Sequence, residues 1–256
     1  FINASPFFGS TAEYSIEDVK TFLKKEKVPT LDVALYDAKL IENANNPISV
    51  VSPPKLDKDG KEIPPPPPKV NLWPVKTIYP KAGALLPFNR VIAFYGNLYS
   101  KKMGVLGEYP EAEMFAKLDL EVKKWVEADP NTPVIPALHY IAVVAQASSG
   151  ADGKYRARMP HKEIDKVLAM AEKKNAIVFL DFQVAFSTLD KELSFYEKYF
   201  KLPNVHLGID PEFSMKNGIR PGKVVGTFDA VDVNYAINRL AKIVKENNLP
   251  PKILVI

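Results

Sequence analysis

A chain of 256 residues, 46% hydrophobic and 25% charged, has the apolar material for a sizeable core and an ordinary globular balance. Its net charge of +4 is mild and its lysines are spread rather than massed, which argues against nucleic acid as a partner. The lack of cysteine removes disulfides, thiolate metal sites and a cysteine nucleophile, and no apolar run reaches the roughly 20 residues that cross a bilayer.

The chain opens at Phe1 rather than Met, so an upstream segment is expected to have been removed; a cleaved signal peptide and a trimmed start look alike here. Ser15 is placed to cap a helix over Ile16 to Lys27, with Glu17 and Asp18 in its first turn and Val19, Phe22 and Leu23 as its apolar stripe. A second short helix is expected over Leu31 to Asn45. Residues 1–45 thus read as an N-terminal helical arm, too small for an independent domain. Residues 46–85 carry Pro53-Pro54, the run Pro64 to Pro68, Pro74 and Pro80 around a polar, turn-like Lys55 to Gly60. Such a stretch favours polyproline II, so it reads as a stiff spacer or as an arm lying on the main body.

From residue 86 the pattern becomes regular. Strands are predicted at Arg90–Gly96, Val134 to His139 or a little beyond, Ala176–Asp181, Val205–Asp210 and Lys252–Ile256. Helices are predicted from Pro110 to about Asp129, from Pro160 onward, over Phe186–Phe200 and over Val231–Asn247. Alternating strands and helices of this length mean βα repeats and a parallel sheet, and near-continuous apolar strands mean burial on both faces. No dinucleotide fingerprint follows the first strand, where Tyr95-Gly96-Asn97 leads into Leu98-Tyr99-Ser100. The predicted class is therefore α/β with parallel repeats of the (β/α)8 TIM-barrel type over residues 86–256. The barrel is incomplete, with about five strands, because the chain stops inside the last of them; a fragment, or completion by another chain, is the expectation.

The run Leu86-Pro87-Phe88-Asn89-Arg90-Val91-Ile92-Ala93-Phe94-Tyr95-Gly96-Asn97 resembles the start of a bacterial family of hypothetical proteins and lipoproteins. Met103-Gly104-Val105-Leu106-Gly107, Pro136-Ala137-Leu138-His139, Ala145-Gln146, Leu180-Asp181-Phe182-Gln183, Asp210-Pro211-Glu212-Phe213, Gly226-Thr227-Phe228-Asp229-Ala230 and Val233-Asn234 are similar to its motifs. The resemblance covers about two thirds of the chain. It implies a secreted or cell-envelope protein with a barrel-like domain behind a proline-rich spacer, leaves room for an upstream lipid anchor, and implies that such sequences continue past the last strand. More loosely, an Asp-x-Glu ending a strand resembles lysozyme-like and chitinase-like glycosidases, without their surrounding signatures.

The chemistry is expected at the carboxyl ends of the strands, where parallel sheets gather it. The strand ends offer Tyr95 and Asn97, then His139 and Gln146, then Asp181 and Gln183, then Asp210 and Glu212. The alternation of side chains along the fourth strand is expected to put Asp210 and Glu212 on one face at its end. Two carboxyl groups about 5 to 9 Å apart are what glycoside hydrolysis requires, and clustered carboxylates raise one another's proton affinity. Glu212 is the expected acid, with Asp210 or Asp181 as base or charge stabiliser. Tyr95, Asn97, His139, Gln146 and Gln183 are the expected substrate-binding residues, and carbohydrate or cell-wall material the expected partner. The aromatics Tyr95, Tyr99, Tyr109, Tyr140, Tyr155 and Phe213 are expected around the same loops, as is a polar loop from Ala147 to Met159 whose Arg156 and Arg158 either hold an anion or are solvated.

No cofactor is called for. The alternatives are a non-catalytic binding or structural protein on a barrel scaffold, and a metal-dependent hydrolase using His139, Asp181, Asp210 and Glu212, although no tight ligand spacing such as His-x-His is present. His161, at a helix start, and His206, opening the fourth strand, read as structural. A serine hydrolase is disfavoured by the absence of a Gly-x-Ser-x-Gly elbow.

Overall fold

The computed structural model describes residues 2–4, 33–45, 57–61 and 80–256. The helix expected over Ile16 to Lys27 and most of the proline-rich stretch lie outside the described residues. At 57–61 the chain makes a tight turn, with Asp57 Oδ1 accepting from the backbone N–H of Asp59 and of Lys61.

The elements run in the order β1 (Ile2–Ala4), α1 (Val33–Asn45), β2 (Arg90–Gly96), α2 (Val105–Glu108), α3 (Glu111–Ala128), β3 (Val134–Ala145), β4 (Arg156–Arg158), α4 (His161–Glu172), β5 (Ile177–Phe182), α5 (Leu189–Phe200), β6 (Val205–Ile209), a 3-10 turn (Pro211–Phe213), α6 (Ala230–Glu246) and β7 (Lys252–Val255). The helices start where local chemistry allows. Pro110 and Pro160 stand at the N-caps of α3 and α4, where a missing N–H costs nothing. Thr188 caps α5 through its side chain. Asp229 and Asp232 form a reciprocal capping box on α6.

Five strands pair in parallel and in chain order, β2-β3-β5-β6-β7. β1 adds antiparallel to β7, and β4 folds back antiparallel onto the last three residues of β3. The protein is thus α/β, a mainly parallel sheet with helices between its strands. β3 outruns the predicted strand because Tyr140 to Val144 stays apolar and β4 pairs with its end. β6 stops at Ile209, because Asp210 leads into Pro211, which has no N–H for a ladder and opens the 3-10 turn.

The two faces of the sheet differ. Leu138, Tyr140, Val178, Leu180, Phe182, Val205, Leu207 and Leu254 point to one face and pack with Met114 and Leu118 of α3, Ile164 and Val167 of α4, Leu193, Tyr196 and Phe200 of α5, and Leu240 and Ile243 of α6. Burying each such side chain contributes about 1.5–3 kcal/mol. Ala137, Ile177, Phe179 and Ile253 point the other way and form a smaller buried group with Leu85, Leu86, Val91, Ile135 and Val255 around it. The residues that continue this second face toward the carboxyl ends of the strands are polar.

At the end of β2 the chain must pass very close to α2. Gly104 has φ near 111°, and a Cβ there would strike the Tyr95 carbonyl, so only glycine fits this crossing.

Candidate functional site

The second face carries Tyr95, His139 and Asp181 side by side, because parallel register sets Tyr95 opposite His139, His139 opposite Phe179, and Asp181 opposite Gly208. His139 lies in the middle of β3 rather than at its end. Even so, its neighbours' registers bring it level with Tyr95. Gln183 and Asp210 follow just past the ends of β5 and β6, where the Asp210 N–H donates to the Phe182 carbonyl at 3.2 Å and the Gln183 N–H to the Val143 carbonyl at 2.9 Å.

These five side chains form one network. The Tyr95 hydroxyl donates to Asp181 Oδ2 at 3.1 Å. Gln183 Nε2 faces both the Tyr95 hydroxyl oxygen, at 3.3 Å, and Asp210 Oδ2, at 3.2 Å. Gln183 Oε1 accepts from the Ala145 N–H at 3.1 Å, so the end of β3 fixes which way the amide points. His139 Nε2 stands 3.3 Å from Asp181 Oδ1, at ion-pairing distance but without hydrogen-bond alignment. The imidazole is held between rings, edge-on to Tyr95 at 5.0 Å and tilted over Phe179 at 5.1 Å.

The group is sunk but open at one side. Asp181 is 4% exposed, whereas Tyr95 is 38% exposed and Asp210 is half-buried. Burial, then the charge of Asp181, pushes the Asp210 carboxyl up to about 6, against which the Gln183 amide works. Burial and the charges of Asp181 and Asp210 push the Tyr95 hydroxyl far above its ordinary range, so it stays a proton donor. One carboxyl that retains its proton up to about pH 6 therefore sits beside one whose negative charge it feels.

The other expected site residues fall elsewhere. Asn97 is buried within a turn, its Nδ2 donating to the Ile141 carbonyl at 2.9 Å and its Oδ1 accepting from the Tyr99 N–H at 2.8 Å. Gln146 is exposed in the loop beyond β3. Glu212 is exposed in the 3-10 turn, near enough for its charge to act on Asp210, but the strand alternation that was to align the two ends at Ile209. Of the aromatics, Tyr95 joins the network. Tyr140 is buried on the helix-covered face, Tyr109 packs against that core beneath Lys117 Nζ at 4.3 Å, and Tyr155 meets Phe186 edge-on at 5.0 Å.

Arg156 and Arg158 are committed to an internal ion pair rather than set for a ligand. Both close on the buried carboxylate of Glu192, at 2.9 and 2.7 Å, and Ser187 donates to it as well. These partners hold Glu192 below the usual carboxylate range against the effect of its burial. His161 is half-buried and stacks on Phe195 at 4.8 Å. His206 is buried on the second face, its Nδ1 accepting from the Ile253 N–H at 3.0 Å, and burial pushes it down to about 3.

Among the described residues no three His, Asp or Glu side chains converge to hold a metal ion, so the metal reading of His139, Asp181, Asp210 and Glu212 has no ligand set behind it. Among the same residues no helix is long and apolar enough to cross a membrane. The residue that sequence reasoning missed is Gly208, which faces the His139–Asp181 pair. Its signal was a glycine inside a buried strand, which marks a close approach. Comparison with protein-family models, with curated proteins and with solved structures finds no match to this chain.

Proposed function

We propose that the chain is a carbohydrate-directed hydrolase of the cell envelope or extracellular space, its βα repeats laid out as in a (β/α)8 barrel. Strand order supports the barrel layout: five parallel strands follow one another in chain order, with the packed helices on one face. A doubly wound sheet reverses its order part-way and carries helices on both faces. The location and the choice of cell-wall polysaccharide as substrate class are carried over from the resemblance of residues 86–256 to a bacterial family of hypothetical proteins and lipoproteins.

The activity rests on one observation. Asp210, raised to about 6, and Asp181 are joined through a single Tyr95–Gln183 clamp. Cleaving a glycosidic bond requires one protonated and one ionised carboxyl group. Asp210 gives its proton to the glycosidic oxygen as the C–O bond breaks. Asp181 stabilises the positive charge left on the sugar ring and takes a proton from the water that adds to it, so that the net change is addition of one water. This moves the acid role from Glu212 to Asp210, because Asp210 is the residue whose surroundings favour the acid form. Glu212, exposed beside it, is left to bind sugar hydroxyls.

The test is release of reducing ends from a panel of peptidoglycan, chitin and plant polysaccharides. Asp210→Asn and Asp181→Asn are expected to lower kcat/KM by about 10²-fold or more, Glu212→Gln to act mainly on KM, and the wild-type rate to decline as pH rises through about 6. A wild-type protein inert on the whole panel, or carboxyl variants as active as wild type, overturns the reading. A second reading, sugar binding without turnover, is favoured by the depth of Asp181, only 4% exposed. It predicts affinity for one of these polymers with no product.

A further inference from the structure

We infer that Gly208 is a positioning residue: its missing side chain is the space in which the His139 imidazole and the Asp181 carboxylate meet. The inference builds on the site of the proposed hydrolase, but its test does not use turnover. Gly208 sits inside β6, buried, opposite Asp181 in register. Its backbone is not in the left-handed region, so no conformational demand requires glycine there. The demand is spatial. A Cβ on Gly208 would stand 2.6 Å from His139 Nε2, closer still to Asp181 Oδ1, and 3.3 Å from Asp181 Cγ. Carbon atoms do not approach polar atoms so closely, so one side chain or both must leave.

The clash falls on side-chain ends rather than on backbone, and the strand itself has no reason to break. What moves is the site. Asp181 is pinned at its other oxygen by the Tyr95 hydroxyl, and His139 is wedged between Tyr95 and Phe179, so neither has a free path aside. A methyl group on Gly208 pushes Asp181 away from β6 and therefore from Asp210, which follows just past the end of that strand. The groups facing Asp181 are Tyr95 from β2, His139 from β3 and Asp210; those facing Asp210 are Asp181, Tyr95, Gln183 and Glu212. Of these, Asp181 supplies the largest charge effect on Asp210.

The experiment is Gly208→Ala in the full chain, followed by NMR. The imidazole resonances are assigned with His139→Gln, and the Asp210 carboxyl carbon is titrated. The expected result is a circular-dichroism spectrum like wild type, displaced His139 resonances, and an Asp210 midpoint that falls below about 6 by the part the Asp181 charge contributes, while the larger part due to burial remains. A folded variant with unmoved His139 resonances and an unchanged Asp210 midpoint overturns the inference. If Gly208→Ala does not fold, the double variant Gly208→Ala/His139→Ala decides. Removing the imidazole gives Asp181 somewhere to go, so recovered folding supports the inference and continued misfolding overturns it. Absence of hydrolysis, by contrast, removes the hydrolase and leaves this result standing.

Discussion

The helix-covered face of the sheet and its opposite face are built from the same strands but obey different rules. On the first, successive layers of Leu, Val, Phe and Tyr interlock with α3, α4, α5 and α6 into one continuous core. On the second, a small apolar group at the amino ends of the strands gives way, within one or two residues, to Tyr95, His139, Asp181, Gln183 and Asp210. The first face supplies the stability. The second gives some of it up, because two carboxyl groups held together resist ionisation. Stability and chemistry are thereby separated by the thickness of a single sheet.

The largest expected effect lies on the covered face. Leu207, fully buried there in β6, should cost about 2–5 kcal/mol when changed to Ala, measured by urea unfolding. A loss below about 1 kcal/mol would mean that this face is not tightly packed.

Next comes Lys252, the buried cation that opens β7. Lys252 is 0% exposed, its amine donates to the Leu202 carbonyl, and burial pushes it down to about 7. Its folded value lies below that of an unfolded lysine, near 10.4. The unfolded chain therefore binds the extra proton between those limits, and stability rises with pH from about 7 to about 10. Lys252→Met should raise stability at pH 7 by about 1–4 kcal/mol and abolish that rise. Unchanged pH dependence in thermal melts would show that Lys252 is not the group responsible.

The smallest effect belongs to the site face and has the opposite slope. Asp210 is raised to about 6, above the unfolded value near 3.9, so the folded protein holds the proton between them and stability falls as pH rises from about 4 to about 6. The carboxyl is half-buried, and with solvent screening the slope is worth at most about 1 kcal/mol. Asp210→Asn should flatten it while raising stability slightly at neutral pH. A variant that instead loses stability there would make Asp210 a structural residue and erase the distinction between the faces.

Much of the βα pattern was readable in advance. The strands at 90–96 and 205–209 and the helices opened by Pro110 and Pro160 are marked by unbroken apolar runs and by residues that force a start. β4 and β1 were not readable, since three-residue strands carry no period of their own and exist because β3 and β7 offer them an edge. The candidate residues were readable as a type, polar groups near strand ends, but not as a set. Asn97 looks as suited to a cleft as Gln183, and only the Ile141 carbonyl and the Tyr99 N–H show that it closes a turn. Glu212 looks paired with Asp210 until Pro211 ends the alternation.

Local periodicity and punctuation, which depend on each residue and its near neighbours, were enough to determine the α/β class and the layering of helix on strand. The meeting of Tyr95, His139, Asp181, Gln183 and Asp210 around a bare Gly208 was decided only by tertiary structure. Such meetings depend on the register between strands far apart in the chain, and a shift of one residue would turn each of those side chains to the other face.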